Sequence, residues 1–234
     1  MYYYHHVSRP WNGHLNRLYR YDTREKTWTS EQVPKGYHVG HGSVVNYFKP
    51  LNALVEFRTG GGLSLYDLKT KKWSRVPAKI QRGDPKKKVE GIGSMEYVGT
   101  VSEPHGTFVF GAGKFNWRSS SPVSHVLYAM DSEKKVTRLP DAPVPLTVTR
   151  AVFNSDPVSG DIIVVRRGEL YSLDLAAETK QWTHHTNRKP PFRKDGAMAA
   201  RIRDYGVLYF LVPNTNKVYL YKHAEKSQTP QQAP

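Results

Sequence analysis

A five-residue pattern recurs along the chain and constrains its fold more than any other feature. Anchored on an acid, it reads Leu18-Tyr19-Arg20-Tyr21-Asp22, Leu63-Ser64-Leu65-Tyr66-Asp67, Leu127-Tyr128-Ala129-Met130-Asp131 and Leu170-Tyr171-Ser172-Leu173-Asp174. A fifth copy, Val218-Tyr219-Leu220-Tyr221-Lys222, keeps the pattern without the acid. The anchors lie 45, 64, 43 and 48 residues apart. Trp28 and Trp73 follow their aspartates by six residues and Trp182 by eight, while Val136 takes that place in the third copy. Each copy alternates and is rich in tyrosine and leucine, which predicts a strand. The aspartate can fold onto the following amides as an Asx-turn, so its explanation is structural rather than catalytic. The tryptophan then opens a second strand on which the turn folds back.

Two further strand-like runs precede the later copies. They are 42–48 and 53–57, 93–98 and 107–113, 149–154 and 162–165, and 197–202 and 207–212. The unit is therefore four short antiparallel strands with no amphipathic helix, repeated at a period that a sandwich would not show. This predicts an all-β chain, a β-propeller of four-stranded antiparallel blades, five in number. One domain is expected over 1–223, with blades at 1–33, 34–77, 78–140, 141–186 and 187–223, and a polar tail at 224–234. The first repeat lacks an innermost strand and the last an outermost one, which gives about eighteen strands. Five blades closing on an imperfect seam and a piece of a longer propeller both fit this count.

With Gly60, Gly61 and Gly62 closing one second strand and Gly111 and Gly113 another, ahead of the tyrosine-led strand and its tryptophan, the chain resembles the kelch-type β-propellers. The resemblance covers residues 2–223 with degenerate repeats, and it implies a fold that commonly serves as a binding module.

Composition narrows the function. The chain has no cysteine, which excludes disulfides, thiolate metal sites and a cysteine nucleophile. No run reaches the roughly 18 apolar residues of a membrane span, and the N-terminal residues do not read as a signal peptide. A cytoplasmic protein or a component of an assembled particle is expected. The 35 Lys+Arg against 20 Asp+Glu give a net charge of +15, which favours an acidic partner. Nothing in the sequence asks for a cofactor or a metal.

Alternation of the loops sorts the chemistry-bearing residues onto one end of the blades. Segments leading into inner strands and those joining second to third strands bring together Trp11, His14, His38, His41, Arg58, Lys87, Lys88, Lys114, Trp117, Arg118, Arg193 and Lys194. Cations interleaved with flat rings suit a partner protein, a nucleic acid or an acidic glycan. The expectation is a non-enzymatic docking module within a larger assembly. A lectin is the alternative, although its sugar pockets would repeat from blade to blade. A glycosidase, less favoured, would need converging carboxylates, and Glu96 is the one that this reading places on an inner strand, against Asn46, Asn154 and Arg201 in the other repeats.

Overall fold

The computed structural model describes residues 2–5, 17–34, 37, 43–58, 62–116, 118, 120–193, 196–213, 215 and 217–224. Six of the residues expected at the binding face, Trp11, His14, His38, His41, Trp117 and Lys194, lie outside this set, as does most of the tail.

The described residues form eighteen strands in five antiparallel sheets, each following chain order. Sheet I holds β1 (Tyr2–His5), β2 (Arg17–Asp22) and β3 (Thr27–Gln32). Sheet II holds β4 (Val44–Phe48), β5 (Ala53–Arg58), β6 (Gly62–Asp67) and β7 (Trp73–Val76). Sheet III holds β8 (Val98–Ser102), β9 (Thr107–Gly111), β10 (Leu127–Met130) and β11 (Val136–Arg138). Sheet IV holds β12 (Val152–Ser155), β13 (Ile162–Arg166), β14 (Glu169–Leu173) and β15 (Trp182–His184). Sheet V holds β16 (Met198–Ile202), β17 (Val207–Val212) and β18 (Lys217–Tyr221). Among these residues no helix is long and apolar enough to cross a membrane.

Sheets II to V bring their first strands together in succession, β4 against β8, β8 against β12 and β12 against β16. This is a propeller arrangement with four inner strands around one axis. Among the described residues sheet I has no inner strand, and it packs on sheet II through Leu18, Val33, Leu54 and Tyr66.

The sheets stack face to face because their second strands are apolar on both faces. Residues 53–57 of β5 and 162–165 of β13 are buried without interruption, as expected where a neighbour covers each face. Phe57 joins sheets II and III, its ring 4.5 Å from Tyr97 and 4.7 Å from Phe110. Fully burying such a side chain contributes about 2–3 kcal/mol. Ile162, Val164 and Leu127 fill the next interface, and Ile163, Leu208 and Phe210 the one after it. In β17 the burial alternates, with Leu208, Phe210 and Val212 inward, so the far face of sheet V leaves Met198, Val218 and Leu220 more than half exposed.

The recurring acid does what its position predicts. Asp67 Oδ1 accepts from the amides of Lys69 at 2.8 Å and Thr70 at 2.7 Å. Asp22, Asp131 and Asp174 accept two amides each in the same way. The Thr70 amide foremost holds the Asp67 carboxyl below its usual value, and the Glu25 amide does so for Asp22. The tryptophan pairs across the turn with the tyrosine or leucine before the acid: Trp28 with Tyr21, Trp73 with Tyr66 and Trp182 with Leu173.

One inner strand is displaced from its expected place. The third repeat enters the axis at Val98–Ser102 rather than at 93–98. Glu96 therefore precedes the strand, with φ of 55°. By pairing, Asn46, Thr100, Asn154 and Ala200 share one register. Arg201 stands one position on.

Candidate binding face

The inner strands leave an axial cavity of about 560 Å³, lined by neutral groups such as Asn46, Thr100, Asn154 and Ala200, with Arg201 and Arg203 also present. Its polar side chains stitch one strand to the next. Asn46 Nδ2 reaches the Gly99 carbonyl at 3.5 Å, Thr100 Oγ1 donates to Asn154 Oδ1 at 3.2 Å, and Asn154 Nδ2 donates to the Ala199 carbonyl at 3.2 Å. Arg201 donates to Ser155 Oγ at 3.1 Å and to the Val101 carbonyl, and meets Glu103 at 3.7 Å. Burial pulls its guanidinium below the usual value, with Glu103 opposing.

The two ends of the blades differ in charge. One end carries the segments between sheets and the β5–β6, β9–β10, β13–β14 and β17–β18 connections. Its described residues include twelve Lys and Arg against four Asp and Glu. The opposite end, with the remaining connections, carries ten against nine. The excess charge is therefore polarised onto the end where the site residues were expected.

Lys87 and Lys88 sit on a tight hairpin whose backbone closes between Asp84 and Val89 at 2.9 and 3.0 Å, with Asp84 Oδ1 accepting the Lys86 amide at 3.0 Å. Asp84 is thus consumed by the turn that presents the lysines. Both lysine side chains are exposed. Arg118 is exposed on a second turn, in which its own amide meets Asn116 Oδ1 at 2.9 Å and its carbonyl accepts the Ser121 amide at 3.0 Å. A groove of about 530 Å³ between the two segments has Lys88, Phe115 and His125 in its walls, together with Glu90 and Asp141. Arg193 is exposed on the connection between sheets IV and V, beside Gly168. Arg58 is half-buried and lies over Gly62, where a Cβ would stand 2.8 Å from its Nε. The structure thus groups Lys87, Lys88 and Arg118 at sheet III and leaves Arg58 and Arg193 on other blades.

Lys114 is a correction to the expected rim. Its segment folds inward and its backbone bridges Met95 and Val123. The buried ammonium meets Glu96 Oε1 at 3.2 Å, with side-chain exposures of 8% and 17%. Thr149 Oγ1 donates to the other Glu96 oxygen at 3.2 Å. Glu96 is held as a structural partner, not as a free axial carboxylate. Lys114→Met is expected to lower stability by about 3 kcal/mol by leaving that acid unpaired. Adding Glu96→Gln should restore most of the loss, and urea unfolding of the three proteins checks both values.

Glu56 escaped the sequence reading. It occupies a second-strand position where the other sheets have Phe110, Val164 and Phe210, and an acid replacing a core residue was the available signal. The side chain is 1% exposed. Among the described residues neither of its oxygens has a hydrogen-bond partner, nor does the hydroxyl of Ser64 opposite it. Burial pushes its carboxyl up to about 7, despite the opposing charge of Arg58.

The sheet order and the axial strands define a β-propeller. Similar solved structures include YjhT, at 11% identity and a TM-score of 0.49, with 90% of this chain and 72% of that one covered. Dipeptidyl peptidase 4 of Porphyromonas gingivalis is similar at 9% identity and a TM-score of 0.39, over 94% of this chain and 36% of that one. PorZ, a surface component of the type-IX secretion system of the same bacterium, is similar at 11% identity and a TM-score of 0.34, over 94% and 32%. The chain thus spans about a third of the length of the last two. No family model matches the chain, and no curated protein matches it in sequence.

Proposed function

We propose that this propeller is a non-enzymatic docking module that binds an acidic partner protein or polyanion through its basic end, as one component of a larger assembly. The observation that carries the reading is the polarity of charge, twelve cations against four anions at one end and near balance at the other. A cationic surface over a rigid scaffold concentrates polyanions and speeds their encounter. The kelch-type kinship belongs to this proposal. It is supported by the tyrosine-led strand, the Asx-turn and the tyrosine–tryptophan pairing in sheets I and II.

A lectin is less well supported, because the loops at this end differ in sequence from blade to blade, whereas a ring of equivalent sugar pockets would repeat them. A glycosidase is less well supported still, since Glu96 is paired to Lys114 and neutral amides line the axis.

Salt titration tests the reading. Affinity for heparin, a single-stranded RNA oligomer and poly-glutamate is measured by fluorescence anisotropy between 50 and 200 mM salt. With about five cations engaged, affinity for the preferred polymer should fall about 100-fold across that range. Absence of binding to all three at 50 mM, or binding that ignores salt, would contradict it.

A further inference from the structure

The groove at sheet III carries charges of both signs, and their arrangement narrows what the basic end can hold. Its volume of about 530 Å³ falls in the range of about 300–1,000 Å³ that small ligands occupy. Lys88, Val89 and Glu90 line it from one segment, and Phe115, Val123 and His125 from the other. The two segments are fastened together. Ser124 Oγ donates to the Gly91 carbonyl, and Phe115 lies against Gly83, where a Cβ would stand 2.7 Å from its Cε1. The ring is thereby held at the base of the lysine hairpin.

Lys87 and Lys88 on the hairpin and Arg118 on the second turn are exposed. Among the described residues none of these three side chains enters an ion pair. Lining the groove itself are three acceptors. Glu90 is exposed and is likewise outside every ion pair among the described residues. Asp141 accepts from Arg138 at 2.9 Å. His125 Nδ1 stands 2.6 Å from the Ala142 carbonyl, which can only accept, so Nδ1 carries the proton and Nε2 of the neutral ring is an acceptor.

Such a groove disfavours a polymer that is anionic throughout. The carboxylates of poly-glutamate or the sulfates of heparin would meet the lysines but also face Glu90 and Asp141 at like charge. A nucleotide strand differs, because phosphate is its only anion and its bases are neutral rings that carry N–H donors.

We infer that this groove takes a guanine nucleotide of a single-stranded nucleic acid. Lys87, Lys88 and Arg118 hold the flanking phosphates, the base lies against Phe115, and the Glu90 carboxylate accepts from its N1–H and 2-amino groups. Guanine is the base that offers a carboxylate two adjacent donors on one edge. Adenine and cytosine offer an amino group beside an acceptor, and uracil one N–H between two carbonyls. Single strands are read in this way, by stacking on aromatic rings and by hydrogen bonds to the exposed base edge. Glu90 is the reader rather than Asp141, whose carboxylate is already held by Arg138. The inference rests on the basic-end reading and names the partner class of that same surface.

Fluorescence anisotropy at about 50 mM salt compares a uridine nonamer carrying one central guanosine with the same strand carrying inosine, which keeps N1–H and lacks the 2-amino group. The guanosine strand should bind about tenfold tighter, the discrimination of one bidentate contact. Glu90→Gln, at an exposed position, should bring the two strands within about twofold of each other. Phe115→Leu keeps most of the bulk and should weaken the guanosine strand about tenfold, as loss of one stacked base would. Lys87→Gln with Lys88→Gln should weaken both strands alike and keep the guanosine preference. The same strands in deoxyribose form distinguish two sources: a preference of equal size assigns the site to either nucleic acid, and one kept only by the ribose strands assigns it to RNA. Equal binding of the guanosine and inosine strands to the unaltered protein would overturn the inference, and salt-dependent binding of both would leave the basic-end reading standing. Tighter binding of poly-glutamate than of the guanosine strand would also overturn it and assign the groove to an acidic protein. No binding of any polymer would remove both readings.

Discussion

Replacing Glu56 by glutamine is expected to raise stability by about 3 kcal/mol at pH 8 and to change it little near pH 4.5. The carboxyl is buried in sheet II and titrates near 7 in the fold, against 4.5 for the free group. Desolvation dominates that rise, and the Arg58 charge, which acts in the other direction, does not offset it. Between these two values the folded chain holds a proton that the unfolded chain has released. Stability therefore falls as pH rises through this window, and it levels off above the folded value. At about 1.4 kcal/mol per pH unit, the full effect is on the order of 3 kcal/mol. Glutamine has the same shape and cannot ionise, so its curve should lack that slope. Urea unfolding at pH 4.5, 6 and 8 checks it. Parallel curves for the two proteins would mean that Glu56 is charged in the fold and that its carboxylate is compensated.

Much of the architecture was written in the local chemistry of the repeat. An acid after an alternating tyrosine-rich run has one economical use, which is to accept the next amides and turn the chain, and four aspartates do so. That sheets I and V hold three strands each among the described residues was also readable, because β1 and β18 each begin or end a repeat out of phase. The inner strand of sheet III was harder. Residues 93–98 alternate as a strand would, whereas Val98–Ser102 includes a glycine and two small hydroxyl residues and gives a weak signal. The ladder with β9 and the contacts with the neighbouring sheet distinguish them, and the latter come from residues far along the chain, as in the bond from Thr100 to Asn154.

The functional residues divide in the same way. Exposed lysines on short turns, such as Lys87 and Lys88, could be placed from topology, because alternating connections must lie at alternating ends. Lys114 could not, since its burial depends on how Gly113 and Lys114 fold back against Met95 and Gly93. Gly93 makes that approach possible: a Cβ there would stand 2.4 Å from the Lys114 carbonyl. Glu56 was legible as an anomaly within "ALVEF", although its chemistry became apparent only once both faces of sheet II were seen to be covered.

The claim that one end of the propeller docks an acidic partner is tested most directly by moving charge between the two ends at constant total. One variant carries Lys87→Glu, Lys88→Glu, Arg118→Glu and Arg193→Glu, and the other carries Lys26→Glu, Lys69→Glu, Lys72→Glu and Lys135→Glu at the opposite end. All eight side chains are exposed, so both variants should fold, and they have the same net charge. Affinity for the polymer preferred by the unaltered protein, measured at 100 mM salt, should drop about 100-fold or more in the first variant and less than about threefold in the second. Equal losses in the two variants would mean that overall charge alone attracts the polymer. They would contradict a binding face.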